Sequence, residues 1–180
     1  MSWNSWESYL ILLLIIWYLS HQAGRLDRLH HRIEVTEAAL DGHLGRRAGI
    51  VAELSASNMI DPVTSAVLAQ AAHDALAVEP HEITQRLDIE NELTEVLLAS
   101  LSDEDEVTEW LTDKPTALLI SELSNVCARI QMSRTFHSEA VSDCLKIRNQ
   151  WLVRIFRLAG YAQLPTVLAL DTRMPSALSD

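Results

Sequence analysis

The sequence predicts an all-α protein, an N-terminal single transmembrane helix continuing into an antiparallel up-down four-helix bundle. Three observations predict it. Residues Tyr9 to Leu19 form an unbroken apolar and aromatic run. Beyond it, apolar residues recur at steps of three and four, the period of one helix face. Only five glycines occur in 180 residues, and no stretch alternates as a strand would, which leaves little material for hairpins, Rossmann turns or phosphate loops. The division that follows is an anchor over residues 1–24, a bundle over 25–160 and a C-terminal tail over 161–180.

The apolar run alone is short for a span of roughly 20 residues. Glu7 is the only charge between Ser2 and Gly24, however, so a longer helix can cross with Glu7 near one headgroup layer. Trp3 and Trp6 at one end, with Trp17 and Tyr18 towards the other, match the aromatic belts of a span. The competing reading is a cleaved signal peptide. It lacks a basic flank before the run and a small-x-small cleavage site after it. Arg25, Arg28 and Arg32 follow the run closely, so the positive-inside rule puts the N-terminus outside and the bundle in the cytoplasm. The expected location is the plasma membrane, single-pass, as in a bacterial inner membrane.

The first helix continues inward, with Leu26, Leu29, Ile33, Thr36, Leu40, His43, Arg47, Ile50 and Leu54 on its stripe, to about Ser57. Asp61-Pro62 opens a second, alanine-rich helix from Pro62 to about Ala77, because aspartate caps the free N–H groups and proline fits the first turn. Glu79-Pro80 breaks that pattern. A third helix carries Ile83, Leu87, Leu93, Val96, Leu97 and Leu101. The acidic run from Ser102 through Trp110 to Lys114-Pro115 reads as a solvated connection with room for a short helix. The last helix, Thr116 to about Phe156, has the cleanest period: Leu119, Leu123, Val126, Ile130, Ser133, His137, Ala140, Cys144, Ile147 and Trp151.

Net charge is -11, from 25 acids against 14 bases, which argues against a reader of nucleic-acid phosphates. The acids concentrate over residues 61–128, where 15 of them face only Arg86 and Lys114. A last helix roughly 60 Å long returns towards the bilayer, bringing Trp151, Arg154, Phe156 and Arg157 to an anionic interface or onto the bundle and anchor.

His43 and His137 both fall on stripe positions at similar depth. With Glu139 or Asp41 nearby they define a metal or proton site, or else a polar layer that fixes register. Cys127 and Cys144 read as small buried apolar residues, since two cysteines make neither a disulfide scaffold nor a four-ligand zinc site. Arg47 sits on the stripe, where an unpaired charge is costly. Either Arg46 or Arg47 pairs with an acid of the second or third helix, such as Asp74 or Glu82, or the stripe drifts to Leu44 and Val51 and leaves both solvated. Gly42, Gly45 and Gly49 cluster on the same helix and suggest a close helix approach, a partner groove or a mild kink. No P-loop, nucleophile elbow, HExxH or paired Glu-x-x-His occurs.

Two blocks carry a family resemblance. Arg32-Ile-Glu34, Leu40-Asp41-x-x-Leu44-x-Arg46-Arg47-Ala48 and Leu54 lie in order on the first helix. Leu123, Arg129-Ile130, Arg134 and Phe136-His137-Ser138-Glu139-Ala140-Val141 lie on the last. With Glu90-Asn91-Glu92-Leu93 and Leu158-Ala159-Gly160-Tyr161, they resemble the LemA family over nearly the whole chain. Gly49 and Ala52 stand where that family has Asp and Pro, Trp151-Leu152 where Phe-Pro is usual, and His137-Ser138 where it has Tyr-Asn. The resemblance implies a membrane-anchored cytoplasmic helical bundle with no established catalytic activity.

The expectation is therefore a non-enzymatic accessory or scaffolding subunit of a larger membrane assembly, such as a respiratory complex. Its partners would be other integral membrane proteins and lipid, with no cofactor, nucleic acid or small-molecule substrate. The alternative is a metal-binding or enzymatic bundle using a His43/His137 layer. A third is a secreted helical domain whose N-terminus is removed.

Overall fold

A computed structural model describes residues 5–78, 83–151, 155 and 164–178. Among them there are five α-helices and no strand: α1 (Ser5–Ser55), α2 (Pro62–Ala77), α3 (Ile83–Ser100), α4 (Glu104–Trp110) and α5 (Lys114–Arg148). A single 3-10 turn follows at Ser176–Leu178. The chain divides into two units, the first formed by Met1–Thr36 with Phe136–Val167 and the second by Glu37–Thr135 with Leu168–Asp180.

In the second unit, three local devices set where helices begin. The Asp61 carboxylate accepts from the N–H groups of Val63 (2.9 Å) and Thr64 (3.2 Å), with Pro62 in the first turn of α2. Asp103 caps α4 in the same way, and Glu104, Asp105 and Glu106 complement the positive end of its dipole. Asp113 accepts from both the N–H (3.1 Å) and the hydroxyl (2.6 Å) of Thr116, starting α5.

The core of this unit buries both candidate stripes of α1, since Leu40, Ile50 and Leu54 are inside together with Leu44 and Val51. One face of α1 is wide enough to meet more than one neighbour. On α2 the buried residues are Leu68, Ala71, Ala72 and Ala75, small enough for the backbone to lie close against α3. The acidic connection is more than a solvated link. Val107 and Trp110, three apart on α4, are buried in the core, with Trp110 only 1 % exposed. Charge outnumbers apolar residues there, but it occupies the outer face. Ser57 and Thr116 join hydroxyls at 2.8 Å, and Arg46 pairs with Glu122, so within this unit α1 and α5 run antiparallel.

The first unit pairs the remaining parts of the same two helices, again antiparallel. Thr36 Oγ1 lies 3.5 Å from His137 Nδ1, and His30 Nε2 lies 3.8 Å from Cys144 Sγ. Its buried core is Leu26, Ile33, Ala140, Val141, Cys144 and Ile147. α5 ends at Arg148, short of the expected Phe156, so it spans 35 residues or roughly 52 Å. The last turn tightens there, with Gln150 N–H bonding to Ile147 O at 3.0 Å, and Lys146 and Arg148 face the negative end of the dipole. Trp151, placed on the seam by its spacing, is exposed beyond this end.

Gly42, Gly45 and Gly49 do not mark a close helix approach. A Cβ at each would meet nothing within 4 Å. The cluster lies where α1 has room for larger side chains, so its spacing alone was a poor guide to packing.

Candidate functional site

Two regions hold side chains that local folding does not require. The first is the apolar surface of the first unit. From Leu10 to Trp17 every side chain of α1 is exposed, a length of helix that buries almost nothing against its own unit. By length and composition α1 can cross a membrane, a property it shares with signal sequences. Only 11 % of its most apolar window is buried, which separates it from the core helix of a globular protein. Ile11, Leu14, Ile15, Tyr18 and Leu19 of α1, with Trp151 and Ile155, line an open groove of about 500 Å³.

At the polar end of this segment the tyrosine and tryptophan have partners. Tyr18 hydroxyl accepts from Gln22 Nε2 at 3.0 Å, and the rings of Trp17 and His21 stack at 6.0 Å. Trp6 and Trp17 are both exposed, as are Arg25, Arg28 and Arg32. The Asp143 carboxyl is held below the usual aspartate range, first by its hydrogen bond from Lys146 and then by the charges of Lys146, Arg32 and Arg25. Trp3, Arg154, Phe156 and Arg157 lie outside the described residues.

His137 belongs to the first unit and His43 to the second. His137 is 3 % exposed and meets Thr36, while its Nε2 has no hydrogen-bond partner among the described residues. His43 is half-buried and belongs to the other unit. Glu139 is exposed, and Asp41 is engaged by Arg86 at 2.9 Å. Among the described residues no three His, Cys, Asp or Glu side chains are grouped to hold a metal ion. Cys127 and Cys144 are both buried free thiols, and burial raises the pKa of each, keeping them protonated near neutral pH.

The second region is a buried charge cluster in the second unit. Arg47, 2 % exposed, does not drift to solvent. Its Nη2 donates to Glu90 Oε2 (2.8 Å) and to Glu90 O (3.0 Å), and its Nη1 donates to Thr94 Oγ1 (3.0 Å). Arg86 approaches the other Glu90 oxygen at 3.7 Å and reaches Asp41 at 2.9 Å. Of the two arginines, Arg47 pairs with an acid of the third helix, and that acid is Glu90; Arg46 pairs with Glu122 of α5 instead. A signal existed, because Glu90 falls on the α3 stripe between Leu87 and Leu97, as Arg47 does on α1. Two opposite charges on facing seams imply each other, since each is too costly to bury alone.

The third feature had no periodic signature. Residues 164–175 have no regular secondary structure, and residues 168–178 belong to the second unit with Leu170, Pro175 and Leu178 buried. Asn91, Thr94, Ser124 and Gln131 all bond to their main chain. Comparison with protein-family models, curated proteins and solved structures finds no match to this chain.

Proposed function

We propose that this chain is a single-span membrane protein whose helical bundle serves as a non-enzymatic accessory or scaffolding subunit of a larger membrane assembly. The observation that carries the reading is the uninterrupted exposure of Leu10 to Trp17, which water does not favour and lipid or a neighbouring span does. In the proposed arrangement α1 crosses the plasma membrane with the N-terminus outside. Arg25, Arg28 and Arg32 then lie at the cytoplasmic headgroups. The cytoplasmic part of α1 and the helices after it form an up-down four-helix bundle of the LemA type, and Trp151 sits near the interface. The groove between α1 and Trp151 offers an apolar seat for an acyl chain or a neighbouring transmembrane helix.

The test uses the full chain in sealed vesicles containing brominated lipid, with one tryptophan retained at a time. Strong quenching of Trp17 and none of Trp110 is the expected result. Equal protection of both tryptophans from the lipid quencher would refute the anchor. Native protein whose intact mass lacks the apolar segment would favour the secreted reading instead. The scaffold reading also expects a stoichiometric membrane-protein partner after mild detergent extraction; recovery as a lone monomer counts against it.

A further inference from the structure

The way residues 168–178 are held differs from helix packing, and it points to recognition. Asn91 donates through Nδ2 to Ala169 O (3.2 Å) and accepts at Oδ1 from Asp171 N–H (2.7 Å). Those two groups flank Leu170, so the Asn91 amide does what a residue of a parallel β-strand would do for its neighbour, while the Leu170 side chain is left to enter the core. Further along, Gln131 Nε2 donates to Thr172 O (2.8 Å) and Ser124 Oγ donates to Leu178 O (2.7 Å). The Thr94 hydroxyl lies 3.3 Å from Asp171 O. Each of these bonds ends on a main-chain group, which any amino acid supplies. Selection falls on the buried apolar side chains Leu170, Pro175 and Leu178. Arg173 pairs with Glu95 and Asp171 at the exposed edge, where ion pairs add little. Main-chain bonds for affinity and spaced pockets for side chains are the chemistry of extended-peptide binding.

We infer that the face of α3 and α5 carrying Asn91, Thr94, Ser124 and Gln131 is a groove for extended peptides, and that residues 168–178 are its tethered ligand. The inference is independent of the membrane reading. Tethering makes the contact intramolecular, with an effective concentration on the order of millimolar. A free segment of the same chemistry, with apolar residues at the spacing of Leu170, Pro175 and Leu178 and a closing turn at its end, enters only when the tether is cut or outcompeted.

The test inserts a site-specific protease sequence between Thr166 and Val167 of the full chain. After cleavage, a fluorescent peptide of residues 166–178 should exchange into the groove, binding at least tenfold more tightly than to uncut protein. Asn91→Ala should weaken binding to the cut protein at least tenfold with helical content unchanged. A peptide carrying Leu170→Asp should fail to compete, whereas one carrying Asp171→Ala and Arg173→Ala should compete within about threefold. The inference is overturned by loss of helical structure on cleavage, which would make the segment part of the fold. Equal binding by cut and uncut protein, or by Asn91→Ala and its parent, overturns it as well.

Discussion

The two units are built from the same two long helices and yet are stabilised differently. The second encloses large side chains such as Leu54, Leu93, Leu97, Leu123 and Trp110, sealed further by the docked C-terminal segment. In the first, two helices meet along one narrow seam, and three of the six buried apolar residues there are Ala140, Val141 and Cys144. Two helices can cover only one stripe of each other, and the other faces need a third party. Among the described residues, the second unit thus encloses a core, whereas the first has a single seam.

The sharpest way to break that contrast is to unpair the buried charges. Arg47→Met leaves Glu90 inside with only Arg86, 3.7 Å away, to balance it, and a loss of up to about 3–5 kcal/mol is expected in denaturation followed by Trp110 fluorescence. Adding Glu90→Leu should recover most of it. Next in size, Leu123→Ala should cost about 2–5 kcal/mol, the same with and without lipid. Hydrogen exchange in the first unit should instead slow when the chain is moved from detergent into a bilayer.

Acid should weaken both units, by a smaller amount. Hydrogen bonds from Thr64 and Thr116 hold the Asp61 and Asp113 carboxyls below their ordinary range, and Lys146 does the same for Asp143. A folded pKa below the unfolded one gives stability that is present above the unfolded value of about 4 and lost as pH falls through the folded value. Asp113→Asn should flatten that decline in the second unit and leave the first unchanged. The smallest effect runs the other way. Gly45→Ala adds a methyl where nothing lies within 4 Å, and it should raise the stability of the second unit by about 1 kcal/mol.

Elements whose cause is local could be read from the chain. Asp61-Pro62 marked the start of α2, and the three-four spacing of Leu123, Val126, Ile130, His137 and Cys144 marked the buried face of α5. Features that depend on a distant partner were harder to read. Arg47 announced a need for a counter-charge but not which acid supplied it. The Val107–Trp110 face of α4 was concealed by the acids around it. Residues 168–178 were silent, because an irregular segment held by side chains of Asn91 and Gln131 has no period of its own. Gly42, Gly45 and Gly49 suggested a close approach that is not there, because glycine spacing alone does not say what lies opposite.

The Arg47–Glu90 contact also constrains how this chain can diverge. One guanidinium reaches a carboxylate, a main-chain carbonyl and a hydroxyl at once, a geometry that lysine cannot reproduce. A descendant that mutates position 90 alone strands the Arg47 guanidinium, and one that mutates position 47 alone leaves Glu90 to the more distant Arg86. Positions 47 and 90 should therefore be inherited as a couple, ionic in some lineages and aliphatic in others, with mixed combinations rare.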